Sequence, residues 1–285
     1  MQVRHLLELY EQGNRNFAGV DLSQADLRGV ILIGVNLQGA NLKGANLTRA
    51  FLIKSDLSGA QMNWANLNFT KMSEATLVDT ELTKANLNGA FLVKSKLAGV
   101  KLSGANLSGA NLRCANLRGA NLCGAQLERV NLRDADLSNA NCKWANLSEA
   151  RLIGAKLDHC SLGFVNLSRA WLKGLDIAGF DLEGVNFHRA KLSGANLEGT
   201  NLPCANLSEA QLDRVNLKRA NLRGANLTEA SLEGANLTKA NLIRADLTGV
   251  HLKGAKLDDA KVEDILPKAA MLPELMDYSL YSAAV

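Results

Sequence analysis

Aromatic side chains, proline and long apolar runs are all scarce in this sequence. Of 285 residues, 5% are aromatic and 3 are proline, although 47% are hydrophobic. A conventional core of this size uses more aromatic volume, so the apolar content, mainly Leu and Ala, indicates a narrow and repetitive interior. No run approaches the roughly 18 apolar residues that a membrane-spanning helix needs. The sequence therefore predicts no membrane span.

Paired cysteines and a secretory leader are also missing. The five cysteines form an odd set without CxxC pairs, which argues against a disulfide framework or a zinc site. Near the N-terminus, Glu8 and Glu11 interrupt the apolar stretch too early for a signal-peptide core. We therefore expect a cytoplasmic protein.

What the sequence does contain is a repeat of five residues. From Phe17 to Val262 a large apolar residue recurs at every fifth position, through fifty registers without an insertion or deletion. All but seven of these central residues are Leu, and a small residue, usually Ala, stands two positions before each. Period five fits neither a helix nor a straight strand, because the leucines would not share one face. They all point inward only if the chain turns once per repeat.

The glycines support a turn at this spacing. Of 24 glycines, all but Gly13 and Gly163 lie two residues after a central position. A type II turn requires positive φ at its second central residue, which glycine adopts without strain. We expect the repeats that lack glycine there, such as the one ending at Arg49, to use another turn type.

The number of sides of the coil follows from the residue just before each central position. At positions 26, 46, 66 and onward to 246, all twelve residues are Asn, Asp or Gln, whereas the series 31, 51, 71 to 251 is varied. A coil of twenty residues keeps these two series apart, and a coil of fifteen would mix them. We number the four predicted faces by their first central residues, 17, 22, 27 and 32. Fifty repeats then make about 12.5 coils, and stacked Asn side chains are expected to form ladders.

Tandem A(D/N)LxG motifs, as in Ala105-Asn106-Leu107-Ser108-Gly109, resemble the pentapeptide-repeat family over about residues 15–262. The resemblance implies an all-β fold, a right-handed quadrilateral β-helix solenoid with short helical caps at the termini. Residues 1–16 are similar to the helical cap of cyanobacterial members. The predicted organisation is an N-terminal cap over 1–16, the β-helix over 17–262, and a C-terminal cap or dimerisation tail over 263–285.

Nothing in the sequence indicates an enzyme, a cofactor or a metal site. The four histidines are dispersed, and no serine or carboxylate recurs beside them at a spacing typical of a catalytic triad. Cys160, next to His159, occupies an inward small-residue position, so we interpret it as core. The many glycines are turn residues rather than a phosphate-binding loop.

The fourth face is the candidate interaction surface. Its outward residues include an apolar cluster, which we expect to form a patch larger than monomers usually leave bare. A basic stripe and one tryptophan follow along the same face. The candidate residues are Ile31, Ile33, Phe51, Ile53, Phe91, Val93, Arg113, Arg133, Arg151, Trp171 and Lys173.

The segment after the repeats offers a second apolar surface. Its candidate residues for covering the last coil, or for joining two copies, are Met271, Leu272, Leu275, Met276, Tyr278 and Leu280. Both roles remain open at this point, because an open coil end exposes leucines and unpaired backbone in either case.

Charge separates the remaining function classes. The repeat body carries 29 basic and 22 acidic residues, a net charge of +7. The family resemblance also implies an alternative, a DNA mimic that inhibits or protects type II topoisomerases. Such a mimic needs dense negative charge, since DNA carries one charge per about 1.7 Å. The few basic residues are also a weak signal for direct nucleic-acid binding. The sequence favours a non-enzymatic scaffold or regulatory module that binds an unidentified protein partner or forms a homodimer.

The inward register can be tested directly. Leu107→Asp places an unpaired carboxylate among leucines and should cost several kcal/mol of unfolding free energy. Ser108→Asp, one residue on and facing outward, should change stability little. Equal melting temperatures for the two variants would show that the register is wrong.

Overall fold

The computed structural model describes residues 1–266 and divides the chain into two compact units, Met1–Ser161 and Leu162–Val285. The first unit begins with helix α1 (Val3–Glu11), and coils make up the rest of both units over the described residues. Every β-bridge is parallel and joins a residue to the one twenty positions on, as in Asn86↔Asn106 and Asn201↔Asn221. The bridges are single residues, so no longer strand occurs between residues 1 and 266. The predicted twenty-residue, four-sided coil is confirmed.

Leucine and alanine fill the inside of each coil. Leu107 and its small neighbours Ala105 and Ala110 are completely buried, and every central residue from Phe17 to Leu257 is buried as well. Burying a leucine contributes roughly 1.5–3 kcal/mol before chain entropy is subtracted. Where a hydroxyl replaces alanine it donates to a backbone carbonyl, as Thr70 Oγ1 does to Leu47 O at 2.9 Å. The core therefore stays without unpaired hydroxyls at these positions.

Backbone hydrogen bonds join each coil to the coils before and after it. The N–H of the central Leu107 donates to the carbonyl of Gln126 at 2.7 Å, while the N–H of Asn106 donates to Ala85 at 3.0 Å. Adjacent residues thus bond in opposite directions along the stack. Parallel bridging of this kind satisfies the backbone without any long strand.

The corners all share one backbone conformation. The fifty residues from Gly19 to Asp264 that lie two positions after a central residue have φ between 52° and 74°, and 28 of them are not glycine. Arg49, at φ 59°, is one of these and has the same positive φ as the glycine corners, so the expectation that glycine-free repeats use another turn type is wrong. The reason is that neighbouring coils fix the corner through hydrogen bonds, such as Arg49 N–H to Asn68 O at 2.9 Å.

The preference for Asn and Asp before the central residue has a local cause. The N–H of the residue after the leucine points outward and finds no backbone acceptor in the stack. The side chain two residues earlier accepts it instead, as Asn106 Oδ1 accepts the Ser108 N–H at 3.0 Å. Some of these side chains also bond between coils, as Asn221 Nδ2 does to Asn201 Oδ1 at 2.8 Å. The expected ladders occur, but the bond to the outward N–H is the more general role.

The two ends of the described chain differ from the repeat body. Leu6 of α1 is completely buried, and the amino group of Met1 donates to the Asp21 carbonyl at 2.7 Å, so α1 lies against the first coil. At the other end the repeat conformation continues past 262, since Leu266 bridges to Asp246. The tail candidates between 271 and 280 lie outside the described residues. Within residues 1–266 no helix has the length and apolar character to cross a membrane.

The hydrogen bond to the outward N–H predicts a measurable contrast. Asn106→Ala removes the acceptor for the Ser108 N–H and should cost about 1 kcal/mol. Lys101→Ala, at the equivalent register one face away, removes no such acceptor and should be neutral. Calorimetry should show a fall of roughly 2–4 °C in melting temperature for the first variant alone. Equal melting temperatures would contradict this role for Asn106.

Candidate interaction site

The structure places the predicted apolar residues together on the fourth face of the first unit. Ile31, Phe51 and Phe91 stand at the bridge register, and Ile31 and Phe91 are 55% and 44% exposed. The residues two positions further on the same coils, Ile33, Ile53 and Val93, are exposed or half-buried. The three arginines predicted on this face, Arg113, Arg133 and Arg151, are exposed in the same unit, whereas Trp171 and Lys173 belong to the second unit.

A lysine divides this apolar cluster. Lys71 bridges to Phe51 on one side and Phe91 on the other, and its ammonium lies 4.4 Å from the centre of the Phe51 ring. This distance is within the range of a cation–π interaction. The face therefore presents alternating phenyl and ammonium groups rather than one continuous apolar patch.

A groove of about 450 Å³ runs along the edge between the third and fourth faces. One wall comes from the fourth face and the other from the preceding corner. We call it the fourth-face groove, and its lining residues are Gly29, Arg49, Phe51, Phe69, Lys71 and Phe91. Its volume is within the usual range of ligand sites.

The Phe69 ring occupies space left by a glycine on the next coil. A Cβ atom at position 89 would lie 2.5 Å from the Phe69 ring, so the ring takes this position because residue 89 is glycine, and a larger residue would shift it. Phe69 remains 46% exposed, because it covers the glycine and not the core. At the third-face corner, three consecutive coils thus carry the guanidinium of Arg49, the ring of Phe69 and the glycine at 89 over which that ring lies.

The two cations of the groove have no carboxylate partner in the part of the chain that the structure describes. Nearby Lys54 is 3.9 Å from Glu74, but neither Arg49 nor Lys71 forms an ion pair with any residue between 1 and 266. Two other arginines at the third-face corner are paired with the residue twenty positions on: Arg129 with Glu149 at 3.1 Å, and Arg189 with Glu209 at 2.7 Å. For Arg49 the residue at that place is Phe69.

The fourth face lacks Asn or Asp acceptors in its first four coils. Ile31, Phe51, Lys71 and Phe91 stand where Asn or Asp would accept such a bond. The N–H of Ile33 donates instead to the Tyr10 hydroxyl at 3.2 Å. Those of Ile53, Ser73 and Val93 reach no acceptor within residues 1–266. Further along the face the bond returns at Arg113, whose N–H donates to Asn111 Oδ1 at 3.2 Å.

The side chains that might carry chemistry do not assemble into a reactive site in the described chain. No group of three potential metal ligands occurs in residues 1–266. Cys160 is buried as predicted, and its Sγ lies 3.7 Å from Sγ of Cys142. The hydrogen bond to Cys160 and burial in the core raise the pKa of Cys142 well above its ordinary value. Both thiols are therefore core groups rather than nucleophiles.

The pentapeptide-repeat family model matches residues 16–52, 60–163 and 166–264 in overlapping copies. The chain belongs to the pentapeptide repeat family. Pentapeptide repeat proteins form right-handed quadrilateral β-helices and are generally structural or regulatory rather than enzymatic. No protein with a curated description matches the chain significantly.

Solved pentapeptide repeat proteins similar to this chain come from several sources. HetL from the cyanobacterium Nostoc sp. strain PCC 7120, described as involved in heterocyst differentiation regulation, is 31% identical, with 93% of this chain and 97% of HetL covered and a TM-score of 0.38. Rfr23 from the cyanobacterium Cyanothece 51142 is 27% identical over 55% of this chain and 97% of its own, with a TM-score of 0.28. QnrB1, a plasmid-mediated fluoroquinolone resistance protein, is 19% identical over 93% and 95%, with a TM-score of 0.30.

Sequence reasoning identified two rings of the groove and missed its other members. Phe51 and Phe91 follow from the pattern of the fourth face, but Arg49 and Phe69 belong to the third-face corner. In a pentapeptide repeat coil that corner adjoins the start of the fourth face. Reading positions 49, 69 and 89 together with 51, 71 and 91 would have found the groove, because the period of twenty aligns both series.

Proposed function

We propose that this protein is a non-enzymatic interaction module that binds a protein partner through the fourth-face groove. The observation that carries the proposal is the groove itself, with three phenyl rings and two cations that have no carboxylate partner within residues 1–266. We also infer a right-handed, four-sided β-helix acting in the cytoplasm. Phenylalanine and arginine together are typical of surfaces where a few side chains dominate the binding energy.

The rigid backbone beneath the fourth-face groove favours binding there. Each groove residue stands on a coil that is hydrogen-bonded to both neighbours, as Phe51 N–H is to Val30 O and Leu52 N–H to Lys71 O, both at 2.8 Å. A surface already held in its binding shape loses little conformational entropy on association. The groove is therefore suited to a partner that adapts to it.

Two rival functions are less well supported by the described residues. Catalysis has no assembled site: His188 Nδ1 lies 2.9 Å from Ser208 Oγ, yet no carboxylate within residues 1–266 hydrogen-bonds to that imidazole. DNA mimicry would place acidic groups on the recognition surface, whereas the charged groups lining the groove are cations. Self-association through the same groove is a special case of the proposal, with a second copy as the partner.

Replacing the rings by the residue that the other faces use gives a sharp test. Phe51→Asn with Phe91→Asn removes the apolar walls and supplies acceptors for the N–H groups of Ile53 and Val93, as Asn111 does for Arg113. Stability should stay within about 1 kcal/mol of the original. Binding of a purified partner, or self-association in sedimentation, should be lost. Trp171→Asn, at the same register in the second unit, is the control and should keep it.

Unchanged binding by the double variant would contradict the proposal. If the double variant folds and retains every partner and the same mass in solution as the original protein, the groove is ordinary surface. Loss of stability along with binding would show instead that Phe51 and Phe91 brace the coil.

A further inference from the structure

We propose that the occupant of the fourth-face groove is an acidic peptide segment of the partner, with an apolar side chain between the phenyl rings and carboxylates on Arg49 and Lys71. This inference rests on the proposed function and specifies the chemistry of the partner. It follows from three features, namely the cations of the groove, the backbone donors of the fourth face beside it and the arrangement of the rings.

The cations are the first feature. At the same corner of the third face, Arg129 and Arg189 each have a glutamate at the next coil, whereas Arg49 has Phe69. Lys71 contacts a ring and no carboxylate within residues 1–266. Two like charges therefore lie beside one apolar groove without the neutralisation that Arg129 and Arg189 have. Carboxylates from a partner would supply it.

The backbone donors are the second feature. Ile53, Ser73 and Val93 follow one another on consecutive coils of the fourth face, and none of their outward N–H groups has an acceptor in residues 1–266. Further along the same face the side-chain oxygens of Asn111 and Asn131 fill that role for Arg113 and Arg133. A carboxylate is the partner group most similar to those oxygens, and charge-assisted bonds to N–H are the stronger kind.

The rings are the third feature and distinguish a peptide from a nucleic acid. Lys71 already covers the Phe51 ring at 4.4 Å, and Phe69 lies over Gly89. Bases bind by stacking on open ring faces along a continuous basic track. Here the ring faces are partly occupied and the groove has only two cations. An apolar side chain inserted between the ring edges fits this arrangement better than a stacked base.

Three labelled synthetic peptides test the inference on the full chain by fluorescence anisotropy. They share two leucines and one phenylalanine and differ only in carrying four glutamates, four glutamines or four lysines. The glutamate peptide should bind about tenfold more tightly than the glutamine peptide, and the lysine peptide most weakly. Added salt should reduce this preference. A glutamate peptide with alanine in place of the three apolar residues should not bind.

The variant Arg49→Glu with Lys71→Glu should reverse the order of the three peptides. Glutamate already occupies both registers elsewhere, at the corner in Glu74 and at the bridge position in Glu81, so the fold should tolerate the change. Lys43→Glu with Lys101→Glu, which alters the same charge on the second face, is the matched control and should keep the original order.

Several results would overturn the inference. These are equal binding of the three peptides, no binding by any of them, an unchanged order in Arg49→Glu with Lys71→Glu, or displacement of the glutamate peptide by a single-stranded oligonucleotide. Failure of the proposed function is a separate result, because it requires that Phe51→Asn with Phe91→Asn keep its partner. A partner lost in that variant while the peptides show no charge preference would leave the groove as an interface for an uncharged segment.

Discussion

A left-handed residue at every fifth position is the constraint on which the rest of the structure depends. It turns the chain by one side of the coil, so that the leucines of successive repeats all point inward. In 28 of the fifty corners the residue is not glycine, and the left-handed conformation then costs about 1–2 kcal/mol. Buried leucines and hydrogen bonds to both neighbouring coils offset that cost. The backbone conformation of a corner is therefore set by the neighbouring coils and not by the residue at the corner.

The same constraint decides which positions are available for function. With leucine and alanine inside and the corner conformation fixed, only the residues on either side of the leucine and the corner side chain face outward. One of these usually accepts the outward N–H through Asn or Asp. On the fourth face between Ile31 and Phe91 this requirement is given up, and rings and a lysine replace the amides. We place recognition there because the groove lies beside these residues.

Much of the fold was predictable because one pattern repeats fifty times. The spacing of Leu107 and its equivalents indicated the inward register, and the contrast between the series at 26 and 31 indicated four sides. The backbone at Arg49 was not predictable from local preference, since the neighbouring coils impose it. Of the groove, Phe51 and Phe91 were found from periodicity. Arg49 and Phe69 were not, because they belong to the third-face corner, which was not aligned with the fourth face, and Lys71 was not, because only apolar residues were sought in that part of the face.

The most direct test of the account is a disulfide scan of the coil length after the five native cysteines have been replaced. The pair Thr83→Cys with Ser103→Cys is twenty residues apart, and its backbones are joined by the 3.0 Å bond from Lys84 N–H to Ser103 O. Stacked strands at about 4.8 Å bring these two sulfurs within bonding range. Mass spectrometry should find a cross-link here and none for residue 83 with 98 or 108. A cross-link between 83 and 98 would mean a fifteen-residue coil and would contradict the four-sided structure.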